Sequence, residues 1–152
     1  MTHAMSRTSN VRRARPALLL VLLATVGLAL SACSSADETA NFTDLNQVRA
    51  SMGLPDLVRV PELDAKAVAQ AQRMADRGSI FHSERLDSGV SAGWVAIGEN
   101  VALAGSVQDA QIALEASPPH YANMTNPAYS EVGVGVVTQN GIVYVAQVFV
   151  GR

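Results

Sequence analysis

The chain has 152 residues, a formal net charge of −2 and a single cysteine. That length holds one domain, and one cysteine excludes an intramolecular disulfide. Four of the 11 Lys and Arg precede residue 17 and no Asp or Glu precedes residue 37, leaving 7 basic residues against 13 acidic ones, a formal −6; such a surface has no basis for gripping phosphates, which argues against nucleic acid as a partner.

Met1 to Pro16 carry Arg7, Arg12, Arg13 and Arg15, and Ala17 to Ala32 form an unbroken run of apolar and small residues. A basic stretch, a short apolar run and small residues before a cut site describe a secretory signal over residues 1–32. The run falls short of the ~18 to 20 residues that span a bilayer. It ends in Leu30-Ser31-Ala32-Cys33, which resembles a bacterial lipobox. That resemblance implies lipidation of Cys33 and a membrane anchor, with residues 33–40 as lipidated cysteine and polar tether and residues 41–152 as the folded domain.

Within the domain, Thr43 or Asp44 is placed to cap a helix with Leu45, Val48 and Met52 on one face, ended by Gly53. Leu54-Pro55-Asp56 reads as a turn. A second helix starts at Pro61, a residue suited to a first helical position. Its stripe is Leu63, Ala67, Gln70 and Met74, with Val68 and Ala71 alongside, and Gly78 stops it. Ser83 to Gly93 is polar and glycine-containing, hence loop, and Trp94 to Val101 is a short extended segment.

Ser106, with Asp109 in the first turn, opens a third helix carrying Val107, Ala110 and Leu114. Ser117-Pro118-Pro119 breaks it and starts a short fourth helix through Met124. Val132 to Thr138 and Ile142 to Val150 flank Asn140-Gly141, a strong hairpin signal because both turn residues tolerate positive φ. Helices, a hairpin and a further strand make an α+β domain.

Beyond the signal there are two histidines, His82 and His120, with Glu99 between them in Gly98-Glu99-Asn100. If they converge, two imidazoles and one carboxylate form the ligand set of an open zinc site. His120 falls in the first turn of the helix begun by Pro118, where the positive helix end favours the neutral ring that binds metals. Gly89-Val90-Ser91-Ala92-Gly93 fits the nucleophile-elbow pattern, but no buried strand precedes it, and a loop is the better reading.

Several pieces occur in a specific order: Leu45-Asn46 with Arg49; Gly53-Leu54, Leu57 and Leu63; the helix leading to His82; Gly98-Glu99-Asn100-Val101-Ala102; Ser117-Pro118-Pro119-His120 with Asn123; Glu131 to Val136; and Tyr144 with Gln147-Val148-Phe149. Over about Asn41 to Val150 they resemble the bacterial branch of the CAP superfamily (cysteine-rich secretory proteins, antigen 5 and pathogenesis-related 1), also called the SCP domain. The resemblance implies an α-β-α sandwich with a central antiparallel sheet and a cleft of two histidines and two glutamates able to hold a divalent cation such as zinc. His82, Glu99 and His120 match three of those positions. Ser117 stands where the fourth, a glutamate, often lies, with Leu114 in the place of a tryptophan and Tyr121 in that of an arginine. Glu115, Asn100, Ser117 and Tyr121 are the candidate cleft neighbours.

The function this implies is an extracytoplasmic, membrane-anchored lipoprotein acting as a non-catalytic module for a cation, or for a lipid-like or cell-envelope ligand, with Met124, Tyr121 and Val134 as candidate apolar lining. A metal-dependent hydrolase and a structural envelope protein are the alternatives. Neither ligand nor oligomeric state is legible, since fold does not fix function.

Overall fold

The computed structural model describes the backbone of residues 23–152 and the side chains from residue 36 onward. Its elements are α1 (Leu23–Ser51), β1 (Val58–Arg59), α2 (Pro61–Arg77), β2 (Ala96–Ala104), α3 (Val107–Glu115), α4 (Pro118–Met124), β3 (Glu131–Gln139) and β4 (Ile142–Gly151). The strands form one sheet in the order β1-β3-β4-β2. Three of its strands run antiparallel, as expected, but β1 pairs parallel with β3 through Val58 and Arg59, so the sheet is mixed. Residues 1–22 of the expected signal segment lie outside the described residues. Among the described residues no helix is long and apolar enough to cross a membrane.

Alternation along the strands sorts two cores onto the two sheet faces. Val132, Val134, Val136, Val143, Val145, Phe149 and Ala102 pack with Leu45 of α1, Ala110 and Leu114 of α3, and Met124 of α4. On the opposite face Tyr144, Ala146, Val148, Val150 and Val101 meet Leu63, Ala67, Ala71 and Met74 of α2. This is the α-β-α sandwich. Met124 and Val134 are fully buried in the first core and Tyr121 packs against it, so all three serve packing.

Close approach of α2 explains the Val-Gly-Val-Gly-Val pattern of β3. A Cβ on Gly133 would overlap the Leu63 carbonyl group, and one on Gly135 the Ala67–Val68 peptide. Backbone therefore lies against backbone, with Ala67 and Ala71 as the small residues of the facing helix. Asp64 seals the joint: its Oδ1 accepts from the Val134 N–H at 2.9 Å and from Arg59 Nε. The hairpin turn is as expected, with φ of 54° at Asn140 and 75° at Gly141.

Two expectations for α1 are corrected. The helix does not begin at Thr43 or Asp44; it runs through the proposed tether from Leu23, and the Thr43 hydroxyl donates back to the Thr39 carbonyl at 2.9 Å. Glu38 already belongs to the domain's contacts, pairing with Arg59 at 2.8 Å. The buried stripe is Asn41, Leu45 and Arg49, whereas Met52 is exposed. Arg49 is buried because its guanidinium satisfies four carbonyls, donating to Pro55, Met124, Asn126 and Tyr129. It thereby ties the end of α1 to the loop after α4.

Candidate functional site

Glu99 lies on β2, an edge strand, opposite Val148 of β4. Strand alternation turns it toward the α2 side, and Asn100 toward the α3–α4 side. The segment after α2 folds back over the rim. Gln70 of α2, itself fully buried, donates to the Phe81 carbonyl and so holds that segment in place.

Three donors then converge on the Glu99 carboxylate. The Ser83 N–H reaches Oε1 at 2.8 Å, the Ser83 hydroxyl reaches Oε2 at 2.6 Å, and His82 Nδ1 stands 2.9 Å from Oε1. An acceptor-only carboxylate requires the proton of His82 on Nδ1. Nε2 is left with its lone pair, on a ring whose side chain is 60% exposed, while that of Glu99 is 2% exposed.

His120 arrives from the other side of the edge strand. A web of amides sets its height: Asn100 Nδ2 donates to the His120 carbonyl at 3.1 Å and to Gln147 Oε1 at 3.1 Å. Asn123 Nδ2 donates to Asn100 Oδ1 at 2.9 Å. Gln147 Nε2 in turn reaches Asn41 Oδ1 at 2.8 Å, and Asn41 Nδ2 reaches Gln111 Oε1 at 2.9 Å. Every member from Asn41 to Asn100 is buried, and no buried side-chain polar atom among the described residues lacks a partner. Burial lowers the His120 imidazole below its ordinary value of 6.5, and the charge of His82 lowers it further.

Of the residues singled out in the sequence, His82 and Glu99 meet directly, while His120 is tied through its backbone carbonyl to Asn100, the residue after Glu99. Asn100 is a neighbour, though as a support for the His120 backbone. Glu115 is elsewhere: it accepts from Gln111 Nε2 at 2.9 Å, beside α1. Gln111 of the same helix is buried in the amide web. Ser117 is the N-cap residue of α4 without a side-chain cap bond, and Tyr121 packs against the core.

Ser83, Gln70, Asn123 and Gln147 were not anticipated as site residues, since nothing local marks a serine beside a histidine or an amide in a strand. Ser91 lies in loop and its hydroxyl donates to Glu62 Oε2, which disposes of the nucleophile pattern. Among the described residues no group of three or more His, Cys, Asp and Glu stands in metal-holding geometry. Glu99 is buried and already accepts three hydrogen bonds, which leaves the less buried imidazoles of His82 and His120 as the more open donors.

The sequence profile of the cysteine-rich secretory protein family matches residues 42–151. Comparison with curated proteins finds no match. Among solved structures, an extracellular protein containing an SCP domain from Bacillus anthracis superposes with a TM-score of 0.71 at 23% identity, covering 81% of this chain and 43% of its own. An outer surface protein of Borrelia burgdorferi gives 0.70 at 17% identity, covering 77% of this chain and 93% of its own. A cysteine-rich secretory protein of Staphylococcus aureus gives 0.66 at 18% identity, covering 78% of this chain and 39% of its own. The chain thus spans less than half the length of two of these three.

Proposed function

Because the chain belongs to the cysteine-rich secretory protein family, we propose that it works outside the cytoplasm as a non-catalytic binding module, tethered to a membrane through a lipid on Cys33, and that its cleft takes a divalent cation on His82 and His120. The extracellular and outer-surface neighbours support the location. The observation that carries the site is the Glu99–His82 pair, with Nδ1 on the buried carboxylate and Nε2 toward solvent.

A buried carboxylate behind an imidazole is the arrangement that orients a metal-binding histidine and raises its basicity. In this reading Glu99 is the support of a ligand, and the cation is held by two ring nitrogens. Imidazole donors without a free carboxylate favour zinc and its later transition-metal neighbours over calcium or magnesium, which take oxygen ligands. Two protein ligands leave positions open for water or for a donor atom of an envelope ligand.

Catalysis finds little support in the same atoms. The Ser83 hydroxyl donates to Glu99 rather than to an imidazole, so the Ser–His pairing of an activated nucleophile is not formed by these residues. Calorimetric titration of the protein with zinc tests the proposal. Saturation near one equivalent, lost in a His82→Ala/His120→Ala variant of unchanged thermal midpoint, supports it; a wild-type protein that takes no zinc rules it out.

A further inference from the structure

Beyond its rim, the segment from Phe81 to Gly89 and the outer face of α2 border an open cavity of about 930 Å³. The distribution of charge around it is lopsided. Seven Lys and Arg follow Cys33. Arg49 is buried on four carbonyls, Arg59 pairs with Glu38 and Asp64, and Arg152 pairs with Glu62 and Glu131. The other four, Lys66, Arg73, Arg77 and Arg85, all line this one cavity, and among the described residues none of them has a carboxylate partner within ion-pair distance.

The acidic side chains in the wall do not cancel them. Glu62 pairs with Arg152, whereas Asp76, which accepts only from the neutral Gln72 at 2.7 Å, and Glu84 keep their charges, so the four cations outnumber two uncompensated carboxylates in the wall. In a domain of formal charge −6, such a concentration of unpaired cations in a concave site focuses an attractive field for anions.

The floor between the cations is apolar, made by Ala65, Ala69 and Phe81. The Arg77 guanidinium lies over the Phe81 ring, 4.1 Å from its centroid, and holds the wall. Lys66 braces the far side, donating to the Ser88 and Arg85 carbonyls at 2.8 and 3.2 Å, so the loop is fixed across the helix. Burial lowers the Lys66 ammonium below its ordinary value, with Arg73 adding to the effect against the carboxylates of Glu99 and Asp87. Arg73 spends Nε and Nη2 on Gln70 Oε1 and keeps Nη1 for a ligand.

We propose that this cavity is a second binding site, for an organic anion whose phosphate, sulfonate or carboxylate head sits among Lys66, Arg73 and Arg85 and whose apolar body lies on Ala65, Ala69 and Phe81. It is independent of the cation site, although Ser83 and Gln70 form part of its wall and join it to the Glu99 carboxylate.

The probe is anilinonaphthalene sulfonate, an apolar ring system with one anionic head, titrated by fluorescence against the folded protein, with the uncharged phenylnaphthylamine as its neutral counterpart. Expected are saturation at one equivalent, weakening as salt is raised, and preference for the sulfonate over the neutral probe. An Arg73→Glu/Arg85→Glu variant should bind about tenfold or more weakly; because Arg73 donates to Gln70, an unchanged thermal midpoint and an unchanged zinc titration are expected of Arg85→Glu. If the double variant is misfolded, Arg85→Glu alone decides, because the Arg85 side chain makes no ion pair among the described residues; a drop is expected, and Arg85→Lys should retain binding. Equal affinity for the neutral probe overturns the proposal, as does binding that survives charge reversal. Displacement of the probe by inorganic phosphate as effective as that by an alkyl phosphate also overturns it, in favour of a bare phosphate site.

Discussion

His82 Nδ1 stands 2.9 Å from Glu99 Oε1, and the two side chains have opposite surroundings, the imidazole in solvent and the carboxylate under the chain. The buried partner cannot move, because Ser83 holds it through both a backbone N–H and a hydroxyl. The exposed partner is therefore aimed by a fixed anchor. The account of function rests on that asymmetry.

Replacing Glu99 by Gln keeps the shape but removes the charge and presents an NH₂ to donors. The Ser83 N–H and hydroxyl and the His82 Nδ1–H then compete for one oxygen. The variant should lose about 1–3 kcal/mol of stability, the cost of a buried donor left without a partner. Zinc affinity should fall by about 10- to 100-fold, as for other lost supports of a ligand. Urea unfolding and calorimetry on the same preparation measure the two effects.

Acid should weaken both the fold and the site through His120. Its folded-state value lies below the ordinary 6.5 because burial, and then His82, disfavour the charged ring. Below about pH 6.5 the unfolded chain binds a proton more readily than the folded one, so this contribution to stability is full above that pH and lost as pH falls toward the lowered value. A His120→Gln variant should flatten the fall in thermal midpoint between about pH 7 and pH 5. A wild-type curve no steeper than that of the variant would contradict the assignment.

Gly135→Ala tests the contact between α2 and the sheet. The added methyl meets the Ala67–Val68 backbone rather than a side chain that can rotate away. A loss of at least about 3 kcal/mol is expected, at the upper end for overpacking, read as a drop in the denaturation midpoint. A midpoint within error of the wild type would show that the helix can lift off β3.

Arg49→Leu leaves four buried carbonyls without their donor. The cost should be about 3–5 kcal/mol, as for removal of one half of a buried polar arrangement. Arg49→Lys should recover little, because a single ammonium cannot reproduce the planar fork. Thermal unfolding of the two variants side by side measures this.

The elements that were legible in the sequence are those with local causes. Pro61 and Gly78 bracket α2, Ser106 accepts from the Asp109 N–H at 3.1 Å as an N-cap, and Asn140-Gly141 turns the hairpin. β1 was not legible, because two residues carry no period and the strand exists only through its parallel partner β3. Burial of Asn41, Gln111 and Gln147 was equally hidden. A polar residue on a helix or strand reads as solvent-facing unless its partner is known, and those partners lie 36 to 106 residues away. For the site, the convergence of His82 with Glu99 was suggested by the family pattern, whereas the part played by Ser83 needed the folded loop.

Proton–nitrogen correlation NMR of the histidine rings tests the central claim most directly, since it reads which nitrogen carries the proton and which one takes the metal. At about pH 7.5, where imidazole is neutral, His82 should appear as the Nδ1–H tautomer, and zinc should shift its Nε2 together with a ring nitrogen of His120. An Nε2–H tautomer for His82, or ring signals unmoved at saturating zinc, would contradict the account.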